Sequence, residues 1–476
     1  MFGRNVFFAL VLLVGLSMIG CDDKTVGGGG QEPPGPNLDL PYSQLTPEEQ
    51  KVKLENECIN LLNELQASSS LQAFDVFENF LDLLDRDDPD ISLYSDGSNP
   101  LQTIFQASNA YGVYTWNRNK WEKTSSSSEL KFIFPPKGTT GANDATLSLK
   151  AGNTGITITN VWYDEYWECT EYDPEYGYCY GYKIVKGEKN EGLIYVPTSV
   201  SGILSLNSKE LAKIEASATY KNKTYDFEDF KTTGYPESTL LKLTTEENYV
   251  IQYSLDGRGS ESKFEMSLAH GSTALIETLF SLDISFQKIF DKIESIDDID
   301  DFQNAFGKVK TTGYTKLMGK LALIYQVDDM AGFATEMNRI ESEYDNAWEE
   351  LNWNSSDYFT KEGQIYKKYS DDMAKVMNKY VKVSLTSLQE AFQIAELIVK
   401  SEKVGEYWDN YKWISSYGGY WNWSSDYPYI KLYDEWGPTY YLKFGDGSLV
   451  ETEAYFSTGF GKLENKWQDF VNAFDR

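Results

Sequence analysis

The chain is poor in histidine, cysteine and positive charge, and each shortage excludes a class of chemistry. His270 is the one histidine in 476 residues. Histidine therefore cannot supply paired metal ligands, and no Cys-x-x-Cys pair is present, so no zinc or copper centre and no metal or other cofactor is expected. A serine–histidine–acid triad would have to use His270. Its neighbour Ser272 lies too close in sequence to suggest one, and the chain has no Gly-x-Ser-x-Gly elbow. No glycine-rich phosphate cradle follows a strand and opens a helix. Forty-three Lys and Arg stand against 73 Asp and Glu, a formal charge of −30. Such a chain repels nucleic acid and anionic membrane surfaces. Two carboxylates suffice for glycoside hydrolysis, but 73 give that idea no address. The dense groups Asp297, Asp298, Asp300, Asp301 and Asp85, Asp87, Asp88, Asp90 lack the spaced ligands of a calcium loop and read as solvated helix ends. No repeat of solenoid length is present.

Long apolar runs are also missing, with one short exception at the start. Arg4 is the only charge in the first twenty residues, Val6 to Leu16 is apolar, and Met18-Ile19-Gly20-Cys21 follows. A basic start, a short apolar middle and a small residue before the cut make a secretory signal. The apolar stretch falls short of the roughly 20 residues that cross a bilayer. The four residues ending at Cys21 resemble the lipobox of bacterial lipoproteins, with Met18 where leucine is usual. The resemblance covers the leader alone. It implies cleavage before Cys21, acyl chains on that cysteine, and attachment to a membrane without a transmembrane helix. Asp22 and Asp23 look like the surface-export signal of Bacteroidota lipoproteins, which implies the outer face of the outer membrane. The alternative is a periplasm-facing lipoprotein, since an aspartate after the cysteine retains enterobacterial lipoproteins in the inner membrane. Gly27 to Gly30 and Pro33, Pro34 and Pro36 then read as a tether, so residues 21–40 are set apart from the fold.

Thr46-Pro47-Glu48-Glu49 is a capping box with proline at the first helical position, and predicts a helix to about Gln66. A second helix is expected with Leu71, Phe74, Phe77, Leu81 and Leu84 on one face. From about 110 to 270 the apolar period becomes two. Strands are expected at 112–116, 130–134, 145–151, 155–162, 180–185, 193–196, 202–206, 211–220, 239–243, 249–255 and 263–268. Short links such as Asn117-Arg118-Asn119 and Asn207-Ser208-Lys209 make neighbours antiparallel. The pattern reverts to helix near Ser272, where Leu275, Leu279, Leu282, Phe286, Ile289 and Ile293 keep helical spacing, with further helices expected at about 299–308, 314–326, 329–350 and 365–380. Thr386 and Gln389 form another capping box, opening a helix to about Glu402. The last fifty residues mix strands around Phe444-Gly445-Asp446-Gly447 with a helix from about Gly461 to Phe474.

The expected fold is therefore α+β. It has N-terminal helices, a long antiparallel curved β-meander (a sheet or partial barrel), and a mostly helical C-terminal half with a short aromatic-rich β segment. The expected divisions are 1–20 leader, 21–40 tether, 41–271 helices and β domain, 272–405 helical region, and 406–476 aromatic-rich end. An exported chain permits a disulfide, and Cys169 and Cys179 flank a turn-rich loop. Cys58 lies on an apolar helical stripe and reads as a buried thiol.

Aromatic density is the most unusual feature present. Between Tyr407 and Phe444, 15 of 38 residues are aromatic, against 15% for the chain. Trp421, Trp423, Tyr427, Tyr429 and Trp436 sit among Gly, Ser, Asn and Asp, and Trp162 and Trp167 stand near the expected disulfide. These seven are the candidate ligand platform, because aromatic faces stack on sugar rings while polar neighbours bond hydroxyls. Packing in the core is the competing reading, since strands favour aromatics. The expected role is a non-catalytic, membrane-anchored binding protein for polysaccharide. The alternatives are a carrier of lipid or another apolar ligand in a curved sheet, and a carboxylate-based glycosidase.

Overall fold

The computed structural model describes residues 38–67, 71–87, 111–152, 154–173, 178–226, 236–285 and 306–474, with Lys288. They divide between two compact units, one within Ser70–Arg258, the other joining residues of Thr25–Ser69 to Gly259–Arg476. The fold is mixed α+β and mostly antiparallel. Two helices come first among the described residues. α1 (Pro47–Ala67) belongs to the second of these units and α2 (Gln72–Arg86) to the first. The capping box forms as expected, with Thr46 N–H donating to the Glu49 carboxylate at 2.9 Å.

In the unit within Ser70–Arg258, eleven strands follow α2 among the described residues. They are β1 (Gly112–Asn117), β2 (Lys120–Ser125), β3 (Leu130–Phe134), β4 (Ala145–Ala151), β5 (Thr154–Asp173), β6 (Tyr178–Pro197), β7 (Ser199–Leu206), β8 (Lys209–Thr219), β9 (Thr224–Asp226), β10 (Ser238–Thr245) and β11 (Tyr249–Asp256). The main run is β2-β1-β3-β4-β7-β8-β10-β11, while β6-β5-β9 form a separate three-stranded sheet. Pairing is antiparallel except between β1 and β3 and between β5 and β9. The expected strand at 130–134 alternates buried and half-buried residues along its length, because one sheet face is covered and the other is not. α2 covers it. Phe80 lies 5.1 Å from Phe132 and 6.1 Å from Trp121, ring centre to ring centre. The buried stripe of α2 is Ala73, Val76, Phe80 and Leu83. The expected stripe is rotated from this, and Leu81 stands 50% exposed. A disulfide joins Cys169 to Cys179 near the end of the β5–β6 hairpin.

In the other unit the order is β12 (Ser262–His270), β13 (Thr273–Leu282), β14 (Thr311–Leu317), β15 (Leu321–Val327), α3 (Met330–Glu349), α4 (Tyr358–Tyr380), β16 (Val381–Ser387) and β17 (Phe392–Asp409). Then come β18 (Tyr411–Ile414), β19 (Tyr420–Trp423), β20 (Ile430–Phe444), β21 (Leu449–Glu451), α5 (Thr452–Ser457) and α6 (Gly461–Phe474). The sheet order is β12-β13-β14-β15-β16-β17-β20-β21, with neighbours antiparallel, and β18–β19 is a small separate hairpin. α1 packs with α5, α6 and the sheet through Leu54, Leu321, Ile394, Phe444, Tyr455 and Phe460. The buried Glu55 of α1 accepts the N–H groups of Lys462 and Leu463 at 2.9 and 3.2 Å, satisfying the orphan donors at the start of α6.

The mostly helical C-terminal half is corrected by this topology. Leu275 and Leu279 are four apart, a spacing that puts both residues on one side of a strand as well as of a helix. The segment is β13, bonded to β12 and β14. The expected helix at 314–326 is the β14–β15 hairpin, turned by Met318 and Gly319, both with positive φ (54° and 65°). The expected helix opening at Thr386 is also strand. Thr386 is fully buried in β16 and donates to the carbonyl of Ala322 instead of capping. The expected helices at 329–350 and 365–380 are present as α3 and α4, and the terminal helix as α6. Most of 299–308, and the acidic residues Asp88, Asp90, Asp297, Asp298, Asp300 and Asp301, lie outside the described residues.

Candidate functional site

β17 and β20 pair from Ala395↔Phe444 to Asp409↔Ile430. β16 accompanies β17 only as far as Glu396. β21 flanks β20 only at Tyr441–Lys443, and beyond these pairings the two strands continue as a two-stranded arm, an arrangement that is marginal in water unless something covers it. α4 does so. The side-chain amide of Asn378 takes the place of a strand, donating to the Val399 carbonyl at 2.6 Å and accepting the Val399 N–H at 2.9 Å. Gly363 permits close approach, since a Cβ there would lie 2.6 Å from Cβ of Tyr433.

The rings at this contact pack on one another, with Phe359 buried, Trp353 38% exposed and the others half-buried. Phe359, 5% exposed, meets Trp421 at 4.9 Å, Tyr411 at 5.0 Å and Trp353 at 5.7 Å. Trp353 Nε1 donates to the Trp421 carbonyl and Trp421 Nε1 to the Ser355 carbonyl, both at 3.1 Å. Tyr366, Tyr433 and Tyr407 stack in sequence at 5.6 and 5.0 Å. Glu362 is enclosed among these phenols at 7% exposure. Tyr433 Oη donates to its Oε1 at 3.3 Å, while Oε2 has no hydrogen-bond partner among the described residues. Burial raises the Glu362 carboxyl above the usual range, the Tyr433 hydrogen bond opposing it weakly. Little of this acid reaches solvent.

The rings at the far end of the arm behave differently. Trp408 is 40% exposed, Trp423 53% and Tyr429 65%. Trp408 and Tyr429 lie nearly parallel, 6.0 Å apart with 21° between planes. Trp408 Nε1 donates to Glu406 at 3.0 Å and Trp423 Nε1 to Asp409 at 2.8 Å. Lys403 and Lys431 bridge Glu406 to Asp434, with Lys431 at 2.9 and 2.6 Å. Hydrogen bonds from Lys403 and then Lys431 hold the exposed Glu406 carboxyl down to about 2, so it stays ionised and keeps the Trp408 indole oriented. Around these rings stand Asn410, Asn422, Ser424 and Asp426. Asn410 bonds the Tyr427 carbonyl, and Asn422 the Tyr427 hydroxyl at 3.0 Å.

Comparison with protein-family models, curated proteins and solved structures finds no match for this chain.

Of the seven candidate platform residues, the structure brings five to this arm. Trp423 and Tyr429 are open to solvent. Trp421 and Tyr427 are half-buried in the ring pack and its hydrogen bonds, and the Lys367 ammonium lies 4.4 Å over the half-buried ring of Trp436. Trp162 and Trp167 fall on β5, and their side chains lie outside the described residues, as do Cys21, Asp22 and Asp23. Cys58 is a half-buried free thiol, pushed up to about 11 by burial. Trp408 and Glu362 went unread in the sequence. Reading 392–409 as a strand would have separated Glu406 and Trp408 from Tyr407 and Asp409 by alternation. No helix among the described residues is long and apolar enough to cross a membrane, and no metal-holding group of three His, Cys, Asp or Glu occurs among them.

Proposed function

We propose that this chain is a non-catalytic envelope lipoprotein that binds polysaccharide at the end of the β17–β20 arm. In this reading lipid on Cys21 anchors the chain, and Asp22 and Asp23 send it to the outer face of the outer membrane. One observation carries the binding role. Trp408, Trp423 and Tyr429 remain 40–65% exposed and stand together at the end of the arm, while most other rings of the same stretch are half-buried. Large exposed rings rimmed by polar groups mark a binding surface. The indole N–H groups of Trp408 and Trp423 are fixed by carboxylates, so little freedom of these two side chains is lost when a ligand stacks on them.

The position of the rings agrees with an anchored protein. The described chain enters at the base of the arm, where Gln393 N–H donates to the Pro41 carbonyl at 2.9 Å. From Gln393 to Trp408 is fifteen residues of strand, or about 50 Å at roughly 3.3 Å per residue, less the shortening of two bulges. The rings thus stand at the opposite end of the arm from the point where the described chain enters. Glycan-array binding tests the role. Signal for at least one polysaccharide class, lost in a Trp408→Ala/Trp423→Ala/Tyr429→Ala protein, is the expected result. An array without signal contradicts it. Detergent-phase partitioning that persists in Cys21→Ser contradicts the anchor.

A further inference from the structure

We infer that the polysaccharide is a neutral, β-linked chain of all-equatorial sugars, lying against the outer faces of the Trp408–Tyr429 pair. This deepens the binding role proposed above and rests on it. Carbon surfaces touch at about 3.5–4.0 Å, so a sugar ring held between two aromatic rings needs them about 7–8 Å apart. Trp408 and Tyr429 are 6.0 Å apart and nearly parallel, which leaves no slot. A ligand meets ring faces from outside.

The polar edges of the indoles are already engaged. Trp408 N–H is held by Glu406 and Trp423 N–H by Asp409, so these rings offer stacking faces and no free donor. An electron-rich ring face attracts an apolar surface edged with positive C–H. A pyranose with all substituents equatorial presents its axial C–H bonds on both faces, and equatorial linkages keep successive sugars flat. An axial hydroxyl or an axial linkage puts polar atoms or a bend against the ring.

Charge narrows the choice further. Lys431 pairs in register with Trp408, and both it and Lys403 are already bound to Glu406 and Asp434. The lysines flanking the ring pair are thus committed, and a carboxylated or sulfated chain would meet the acids beside them. The formal charge of −30 opposes such a chain as well.

Native affinity electrophoresis of the mature protein tests this, with soluble hydroxyethylcellulose, soluble starch or polygalacturonate in the gel. Retardation by hydroxyethylcellulose alone is expected, little changed by added salt. Trp408→Ala and Tyr429→Ala should each weaken it at least tenfold. Trp408→Phe should retain most of it. Tyr440→Ala, at another exposed ring of β20, should leave it unchanged. Equal or stronger retardation by starch or polygalacturonate that is lost in the two alanine variants overturns the neutral β-linked class and leaves the ring site standing. Retardation by none of the three, or retardation that survives both alanine variants, overturns the site and the class together. Matching circular dichroism spectra ensure that a loss reports the missing ring.

Discussion

Truncating Phe359 to alanine should unfasten α4 from the arm, and its cost follows from the packing. The side chain is 5% exposed, and Trp353, Tyr358, Tyr411 and Trp421 surround it at 4.9–5.7 Å between ring centres. A buried Phe→Ala change costs about 3–5 kcal/mol, more where neighbours cannot collapse into the space. Here the crossed indole bonds, Trp353 to Trp421 and Trp421 to Ser355, hold two of the walls in place. The expected loss is therefore in the upper part of that range, about 4–5 kcal/mol. With a urea dependence of ~3 kcal/mol per molar, the midpoint should fall by about 1.5 M. Tyr429→Ala is the companion. Its ring is 65% exposed and stacks on Trp408, a pairing worth only about 0.5–1.5 kcal/mol. Urea titration followed by tryptophan emission measures both. A loss under about 1 kcal/mol for Phe359→Ala, or an equal loss for the two variants, would refute the division of these aromatics into core and surface.

Three further outcomes follow from the same packing. Burial raises the folded-state pKa of Glu362, so the folded protein keeps the proton where the unfolded chain has released it. The stability from this group is complete below the ordinary carboxylate range and is lost as pH rises through the folded pKa. Glu362→Gln should therefore flatten that decline in a series of melting temperatures across acid to neutral pH, and an unchanged slope would count against the buried acid. Gly363→Ala should lower the melting temperature despite alanine's helix preference, because overpacking against Tyr433 costs about 1–3 kcal/mol and exceeds the propensity gain of about 1 kcal/mol; a rise would mean the contact is looser than 2.6 Å implies. Cys169→Ser/Cys179→Ser should cost about 2–3 kcal/mol, since the bridge closes a loop of ten residues. Calorimetry of the intact chain reads that loss, and no change would mean the bridge constrains nothing.

Local chemistry was legible where one element decided its own fate. The Thr46–Glu49 box set the start of α1, and the strands at 130–134 and 145–151 were read with their observed bounds. Cys169 and Cys179 are joined as expected. The C-terminal half was misread because its signals serve both structures. Leu275 and Leu279 share a side of a helix and of a strand alike, and Thr386-x-x-Gln389 is a cap only if the chain turns helical after it. The ladders β13–β14 and β15–β16 decide these segments, and they join residues far apart in sequence. The same dependence hid the site. The aromatic density at 407–444 was plain, but exposure is set by α4, whose Phe359 packs on the half-buried Trp421 while Trp408, Trp423 and Tyr429 stay open. Density in sequence names the rings; only packing sorts them.

Oxidation of tryptophan with and without hydroxyethylcellulose, mapped by peptide mass spectrometry, tests the central claim most directly. Trp408 and Trp423 should be modified readily in the free protein and protected when the glycan is bound, while the buried Trp116 and Trp121 stay unmodified in both. Equal modification of Trp408 and Trp423 with and without glycan would contradict a binding site at the end of the arm.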